Sequence, residues 1–121
     1  TGPEVQVLDN INHPDSFLRN GRRKAGAIYD MVAYPGEHLN PAGEWNLCVL
    51  EINYKTGIGK VTMNDKETIS FPIKGPNWDD LVSGSKFKDW KGFGKFHTGH
   101  IGLQDHGNDI WYRNIKIKEL N

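Results

Sequence analysis

A single cysteine, no net charge and no long apolar run each close off a class of protein for this 121-residue chain. One cysteine cannot form an internal disulfide, so cysteine usage says little about the compartment. Set among apolar neighbours, Cys48 reads as a small buried group rather than a nucleophile. Fifteen Lys and Arg balance fifteen Asp and Glu; such a chain lacks the net basic face that displaces counterions from nucleic acid. No segment approaches the roughly 18 to 20 apolar residues of a membrane-spanning helix. There is no CxxC, HExxH, phosphate loop or nucleophile elbow, and no internal repeat. An initiating Met and a signal peptide are also missing, and Thr1-Gly2-Pro3 reads as an excised start.

What the chain does have is glycine, proline and aromatic residues. Fourteen Gly and six Pro in 121 residues exceed the roughly 12% of average usage and favour a turn-rich all-β architecture over a helical bundle. The length allows one domain, and a mean hydropathy of −0.64 suits a modest core. Residues 4–8 alternate as a strand from the outset, with Val5 and Val7 on one face and Glu4 and Gln6 on the other. A domain that opens in mid-strand is expected to be the C-terminal portion of a larger one. A polar loop fills 9–24, with a solvated Arg22-Arg23-Lys24 run, and a second strand is predicted over 25–32. The longest strand is predicted over 44–54, apolar on both sides and therefore central and covered. Strands over 60–63 and 68–73 form a hairpin around Asn64-Asp65. One short helix is predicted at 76–82, with Asn77 as its N-cap and Trp78, Leu81 and Val82 as its apolar stripe. Final strands are expected near 100–106 and over 110–120, where Ile115 and Ile117 face one side and Lys116 and Lys118 the other.

Chemistry concentrates in three places. Glu4-x-Gln6-x-x-Asp9 offers two carboxylates on one strand, although Asp9 reaches the face of Glu4 only through a β-bulge. Paired carboxylates are what glycosidic cleavage requires, one as proton donor and one as nucleophile or base. In the 100–106 stretch, Ile101 and Leu103 share one face, and His100, Gly102, Gln104 and His106 share the other, which lines something polar. His100 and His106 would lie about 20 Å apart along a strand, too far to share one ion. A cluster of His106 with Glu4 or Asp9 is the better grouping, with imidazole as base, acid or metal ligand. The third place, SKFKDWKGFGKFHTG, interleaves lysines with aromatics. Such interleaving suits single-stranded nucleic acid, but with zero net charge it reads as a loop packing its aromatics inward and turning its lysines to water or a cleft. His13, before Pro14, reads as a loop hydrogen-bonding group.

The stretches GPEVQVLDN, NGRRKAGAIYD, PAGEWN, SKFKDWKGFGKFHTGHIGLQDHG and WYRNIKIKEL together resemble the 3-keto-disaccharide hydrolase domain family, across essentially the whole chain. The resemblance implies a concanavalin A-like jelly-roll β-sandwich, related in fold to laminarinase-like glycosidases, with additional strands upstream. The N-terminal part of the same domain, on this or a separate chain, is then a partner. Glu4-x-Gln6-x-x-Asp9 is similar to the E-x-D-x-x-E signature of laminarinase-like enzymes. Gln6 stands for the central acid and Asp9 for the last, so their retaining mechanism does not carry over. In the middle hairpin many family members carry a His-Trp-Leu-Asn-Gly-like run, where this chain has Val61-Thr62-Met63-Asn64-Asp65.

The function implied is hydrolysis of a glycoside oxidised at C3, by removal of the acidified C2 proton, elimination at C1 and addition of water. Such chemistry needs a base, an enolate stabiliser and an acid for the leaving oxygen. Glu4, Asp9 and His106 are the candidates for base and acid, or for holding a divalent metal ion that polarises the ketone. Gln6, Lys86, Gln104 and Arg113 are the candidates for holding sugar hydroxyls or the enolate. The competing reading is a non-catalytic carbohydrate-binding module on the same sandwich. The two are separated by geometry, because the enzyme reading expects Glu4, Asp9 and His106 to converge in one cleft. A carbohydrate is the expected partner in both. The resemblance also implies a periplasmic or secreted location.

Overall fold

The computed structural model describes residues 2–120. Its regular structure is one antiparallel sheet of three strands in the order β1-β2-β3, with β1 at Cys48–Asn53, β2 at Ile58–Met63 and β3 at Lys66–Pro72. One helix, α1, spans Pro76–Ser83, and two short 3-10 turns occupy Pro14–Phe17 and Arg19–Gly21. The β2–β3 turn is the hairpin expected at Asn64-Asp65, and both residues adopt positive φ, 48° and 65°. Asn and Asp tolerate that conformation because their short polar side chains bond locally.

The core grows from one face of β2 and β3. Val61 and Met63 alternate inward on β2, and Ile69 and Phe71 do so on β3. Gly59 faces the Phe71 ring, which occupies the space any Cβ there would need. Residues 27–34 supply Ala27, Ile28, Met31 and Tyr34, and the far side is closed by Trp78, Phe87 and Phe93. The helix carries Trp78 into this cluster, with Leu81 and Val82 partly buried beside it, the stripe expected from their spacing. Its N-cap is Gly75 rather than Asn77, because Pro76 takes the first helical position, which suits a residue without an N–H.

Five expectations are corrected. Residues 4–8 form no strand; Val5 makes a single antiparallel bridge to Ile28. Residues 25–32 do not run straight either. Positive φ at Gly26 (81°) and Asp30 (60°) folds them into a tight turn, in which Ile28 also bridges Val32. The long central strand shortens to β1, which sits at the sheet edge. Val49 and Leu50 point to opposite faces and are 49% and 50% exposed, so neither side of β1 is covered among the described residues. Cys48 at its start is exposed, not buried. Finally, 100–106 and 110–120 pair with no strand among the described residues, and Ile101, Leu103, Ile115 and Ile117 all face outward. Their alternation is a strand pattern without a ladder to join, and Asn114 at φ 55° interrupts the second of them. No helix of the described residues is long and apolar enough to cross a membrane.

Candidate active site

The site is assembled on residues 4–6, which are held against 26–29 by backbone bonds. The Tyr29 N–H donates to the Glu4 carbonyl (3.0 Å), Gln6 N–H to Ala27 O (2.9 Å) and Gly26 N–H to Gln6 O (2.8 Å). The Gln6 side chain is buried and donates through Nε2 to the Arg23 carbonyl at 3.1 Å. From the distant C-terminal arm, Gln104 reaches across to this platform. Its Oε1 accepts from the Val7 N–H at 2.6 Å, and its Nε2 donates to Glu4 Oε1 at 3.1 Å and also to Gln6 Oε1. The Tyr112 hydroxyl donates to the Gln104 carbonyl at 2.8 Å and pins that arm. Gln104 thereby fixes the direction of the Glu4 carboxyl.

A cleft of about 320 Å³ opens beside Glu4, lined also by Tyr29, Lys86, Phe87, Trp90, Gln104 and His106. Burial raises the pKa of the Glu4 carboxyl, and the charges of Lys86 and His106 pull it back in part. Lys86 is placed by its backbone: its N–H donates to Asp30 Oδ2 at 2.8 Å. Its ammonium stands 4.5 Å from the Tyr29 ring centroid and 3.4 Å from the Tyr29 hydroxyl. Asp30 is 1% exposed and holds Arg23 Nε at 2.8 Å and Arg19 Nε at 3.1 Å. Burial works against its charged form, but the Arg23 hydrogen bond, the Lys86 amide and the two guanidinium charges outweigh it and lower its pKa.

Behind the cleft, Asp15 is a junction. Its Oδ2 lies 3.8 Å from His106 Nε2 and accepts from the Tyr29 hydroxyl at 3.3 Å, while Oδ1 faces Arg23 at 3.4 Å. His13 packs edge-on to His106, with ring centroids 4.7 Å apart. His13 Nδ1 also accepts from the Asp15 N–H at 3.2 Å and caps the first 3-10 turn, the loop role expected of it.

Glu4, His106, Gln104 and Lys86 therefore face one cleft, with Gln6 directly beneath. Two expected members lie elsewhere. Asp9 closes a turn on itself: Oδ1 accepts from Ile11 N (2.9 Å) and Asn12 N (3.1 Å), and Oδ2 from Asn12 Nδ2 (2.8 Å). The Asn12 side chain first, then these amides, lower its pKa. No bulge carries it round to Glu4, because the chain leaves the extended conformation at that turn. Arg113 lies over the Trp45 ring at 4.1 Å, a cation–π contact away from the cleft. The proposed metal set of Glu4, Asp9 and His106 does not gather, and no group of three or more such side chains does so among the described residues. Of the aromatics in the lysine–aromatic stretch, Phe87 and Phe93 pack inward as expected, but Trp90 stands exposed on the cleft wall; Asp15 and Tyr29 carry no site signal in the sequence. Asp15 sits in what reads as a polar loop, and Tyr29 in what reads as a strand.

Residues 1–118 match the family described as the 3-keto-alpha-glucoside-1,2-lyase-like domain. A curated relative from Bacteroides thetaiotaomicron, named a 3-keto-disaccharide hydrolase, is 38% identical over 132 residues. That alignment takes in the whole chain and 45% of the relative, so this chain spans less than half of the relative's length. The crystal structure of a candidate glycosyl hydrolase from Parabacteroides distasonis superposes with a TM-score of 0.65 at 23% identity. It covers 78% of this chain and 44% of that one, a likeness of fold. The chain belongs to the 3-keto-alpha-glucoside-1,2-lyase-like family, as the resemblance implied.

Proposed function

We propose, from that membership, that this chain contributes the catalytic cleft of a glycoside hydrolase-like enzyme acting on sugars oxidised at C3. The observation that carries the reading is the meeting of Glu4 and His106 on one cleft that also presents the Lys86 ammonium. A ketone at C3 acidifies the C2 proton. His106, backed by Asp15, takes that proton; the electron pair moves onto the ketone oxygen, and Lys86 stabilises the resulting enolate. Collapse of the enolate expels the C1 oxygen, which Glu4 protonates. Its raised pKa keeps the carboxyl protonated further toward neutral pH than an ordinary glutamate. Water adding across the enone product completes a net hydrolysis. Gln104 orients the Glu4 carboxyl, and Gln6 is a positioning residue beneath it. Asp9 and Arg113 have no part in this scheme.

Exposed Trp90 on the cleft wall favours the second reading, a carbohydrate-binding module without turnover. The whole protein, incubated with matched 3-keto and unoxidised glycosides with and without a chelator, separates the two. Release of the alcohol from the 3-keto substrate alone supports the enzyme; sugar binding with no release from either replaces it with the module.

The same reading takes the uncovered β1 and the apolar positions of 100–120 to pack, in the whole protein, against further strands of a jelly-roll sandwich. The family resemblance supports this, and it supports a periplasmic or secreted location.

A further inference from the structure

Tyr29 has no role in the scheme above, yet the acid, the enolate holder and the support of the base all attach to it. It sits in the turn folded by positive φ at Gly26 (81°) and Asp30 (60°). Its backbone N–H donates to the Glu4 carbonyl at 3.0 Å and so fixes the segment that carries the acid. Its hydroxyl accepts from Lys86 Nζ at 3.4 Å and donates to Asp15 Oδ2 at 3.3 Å, the oxygen that faces His106 Nε2 at 3.8 Å. Consecutive residues thus hold Lys86 at both ends, Asp30 by its backbone N–H and Tyr29 by its ammonium. Among the described residues no carboxylate pairs with that ammonium, and the Tyr29 hydroxyl is its one hydrogen-bond partner. Lys86 and Arg23 stand over the ring at 4.5 and 5.5 Å from its centroid, and Phe87 meets it at 64° and 6.2 Å. The residue is buried. A phenylalanine would fill the same space among these neighbours; what the tyrosine adds is the hydroxyl.

We propose that Tyr29 is the positioning residue of the cleft, and that its hydroxyl sets the spacing between the base and the enolate holder. This rests on the function proposed above. The proton to be removed and the oxygen that receives its electron pair belong to adjacent carbons, C2 and C3 of one ring. His106 and Lys86 must therefore meet neighbouring groups at the same moment, and a misplacement of about 1 Å costs on the order of 10²-fold in such a step. A lysine stem alone is flexible and leaves that spacing loose. One hydroxyl bonded both to the ammonium and to the carboxylate behind His106 fixes it. The bonds also point one way, from ammonium through phenol to carboxylate, and hydrogen bonds in a row strengthen one another. Positive charge gained by His106 and negative charge gathering beside Lys86 thus appear at the two ends of one short chain. At 3.3 and 3.4 Å both bonds are longer than an ordinary hydroxyl contact, as catalytic contacts are before substrate closes the site. Tyr29 moves no proton in this scheme; it acts through Lys86 and Asp15.

The test uses the whole protein and a 3-keto methyl glycoside, with hydrogen or deuterium at C2. Tyr29→Phe keeps the ring, its cation–π contacts and its packing, and removes only the hydroxyl. The expected result is a kcat about tenfold lower, the scale of one hydrogen bond to a charged group, with KM within about twofold. The deuterium isotope effect on kcat stays as large as in the wild type or grows, because removal of the C2 proton is the step that slows. Tyr29→Leu gives up the ring as well and loses more, so Tyr29→Phe stands between it and the wild type. A kcat in Tyr29→Phe within about twofold of the wild type, or an isotope effect that vanishes there, overturns the role. Should the wild type turn over no 3-keto glycoside, the functional reading fails, and the NMR shift of the Lys86 methylene protons beside Nζ decides the tether alone. The Tyr29 ring under the ammonium moves those protons upfield. Their return toward the position of a free lysine in Tyr29→Phe, which keeps the ring, supports the hydroxyl as the group that holds the ammonium. An unchanged shift overturns it.

Discussion

His106 Nε2 faces Asp15 Oδ2 at 3.8 Å, with the Tyr29 hydroxyl and Arg23 on the same carboxylate. A carboxylate so tied orients an imidazole and stabilises the positive charge it gains on taking a proton. Asp15→Asn is expected to lower kcat for a 3-keto glycoside about tenfold, a part of the 10²- to 10⁴-fold that a general base supplies. His106→Ala is expected to lose about 10²-fold or more. Steady-state kinetics check both, and an unchanged kcat in Asp15→Asn would remove Asp15 from the mechanism.

Glu4 gives a pH test with a defined sign. Burial raises its pKa, and Lys86 holds it down in part. An acid must be protonated, so the rate falls as pH climbs through the raised value. Lys86→Met removes the opposing charge, and the alkaline inflection of kcat/KM is expected to move to higher pH, whatever happens to the absolute rate. Stability follows the same sign. The folded chain holds the Glu4 proton where the unfolded chain has released it, so stability falls as pH rises through that window, and Glu4→Gln flattens this slope. An inflection that stays put or moves down assigns the limb to another group.

Asp30 joins the Arg19–Arg23 loop to the backbone of Lys86, 56 residues away. Its removal leaves guanidinium groups facing a buried gap, and Asp30→Ala is expected to cost about 3 to 5 kcal/mol in chemical denaturation. Folding lowers its pKa; its contribution is therefore full above the ordinary carboxylate range and fades as pH falls through the folded value. A denaturation midpoint indifferent to Asp30→Ala would show the tether to be idle.

Asp9 serves as a control. Because it closes its own turn rather than facing the cleft, Asp9→Ala is expected to lower Tm slightly and to leave kcat within about threefold, well short of the loss for a general acid or base. A hundredfold loss of kcat would return Asp9 to the chemistry.

The hairpin and the helix were legible in the sequence because local physics decides them. Asn64-Asp65 selects its turn and Trp78, Leu81 and Val82 their stripe, whatever surrounds them. The apolar alternation of 44–54 and 110–120 was equally plain, but alternation shows that a strand wants a partner and not whether one is present. At the cleft, Glu4, Gln104 and His106, and Gln6 buried beside them, could be named because polar residues recurred on one face of an expected strand. Asp9 joins Glu4 only if a β-bulge intervenes, and the chain instead turns over Asn10 to Asn12, where Asp9 holds the amides of Ile11 and Asn12. Asp15 gave no local signal: its role arises from contacts with residues far away in the chain, as with His106 and Asp15, 91 positions apart in a fold no single window displays.

The open edge of β1 bears on handling at the bench. Among the described residues the edge of β1 away from β2 pairs with no strand, and Val49, Leu50 and Ile52 are exposed along it, the combination that recruits a second strand of the same kind. With no net charge at pH 7, copies of the chain do not repel one another there. Concentrated neutral solutions of the chain without the further strands proposed above are therefore expected to self-associate, which light scattering against concentration checks. Moderately alkaline buffer, or Leu50→Lys, is expected to keep the chain dispersed, and no residue of β1 lines the cleft that holds Glu4 and His106.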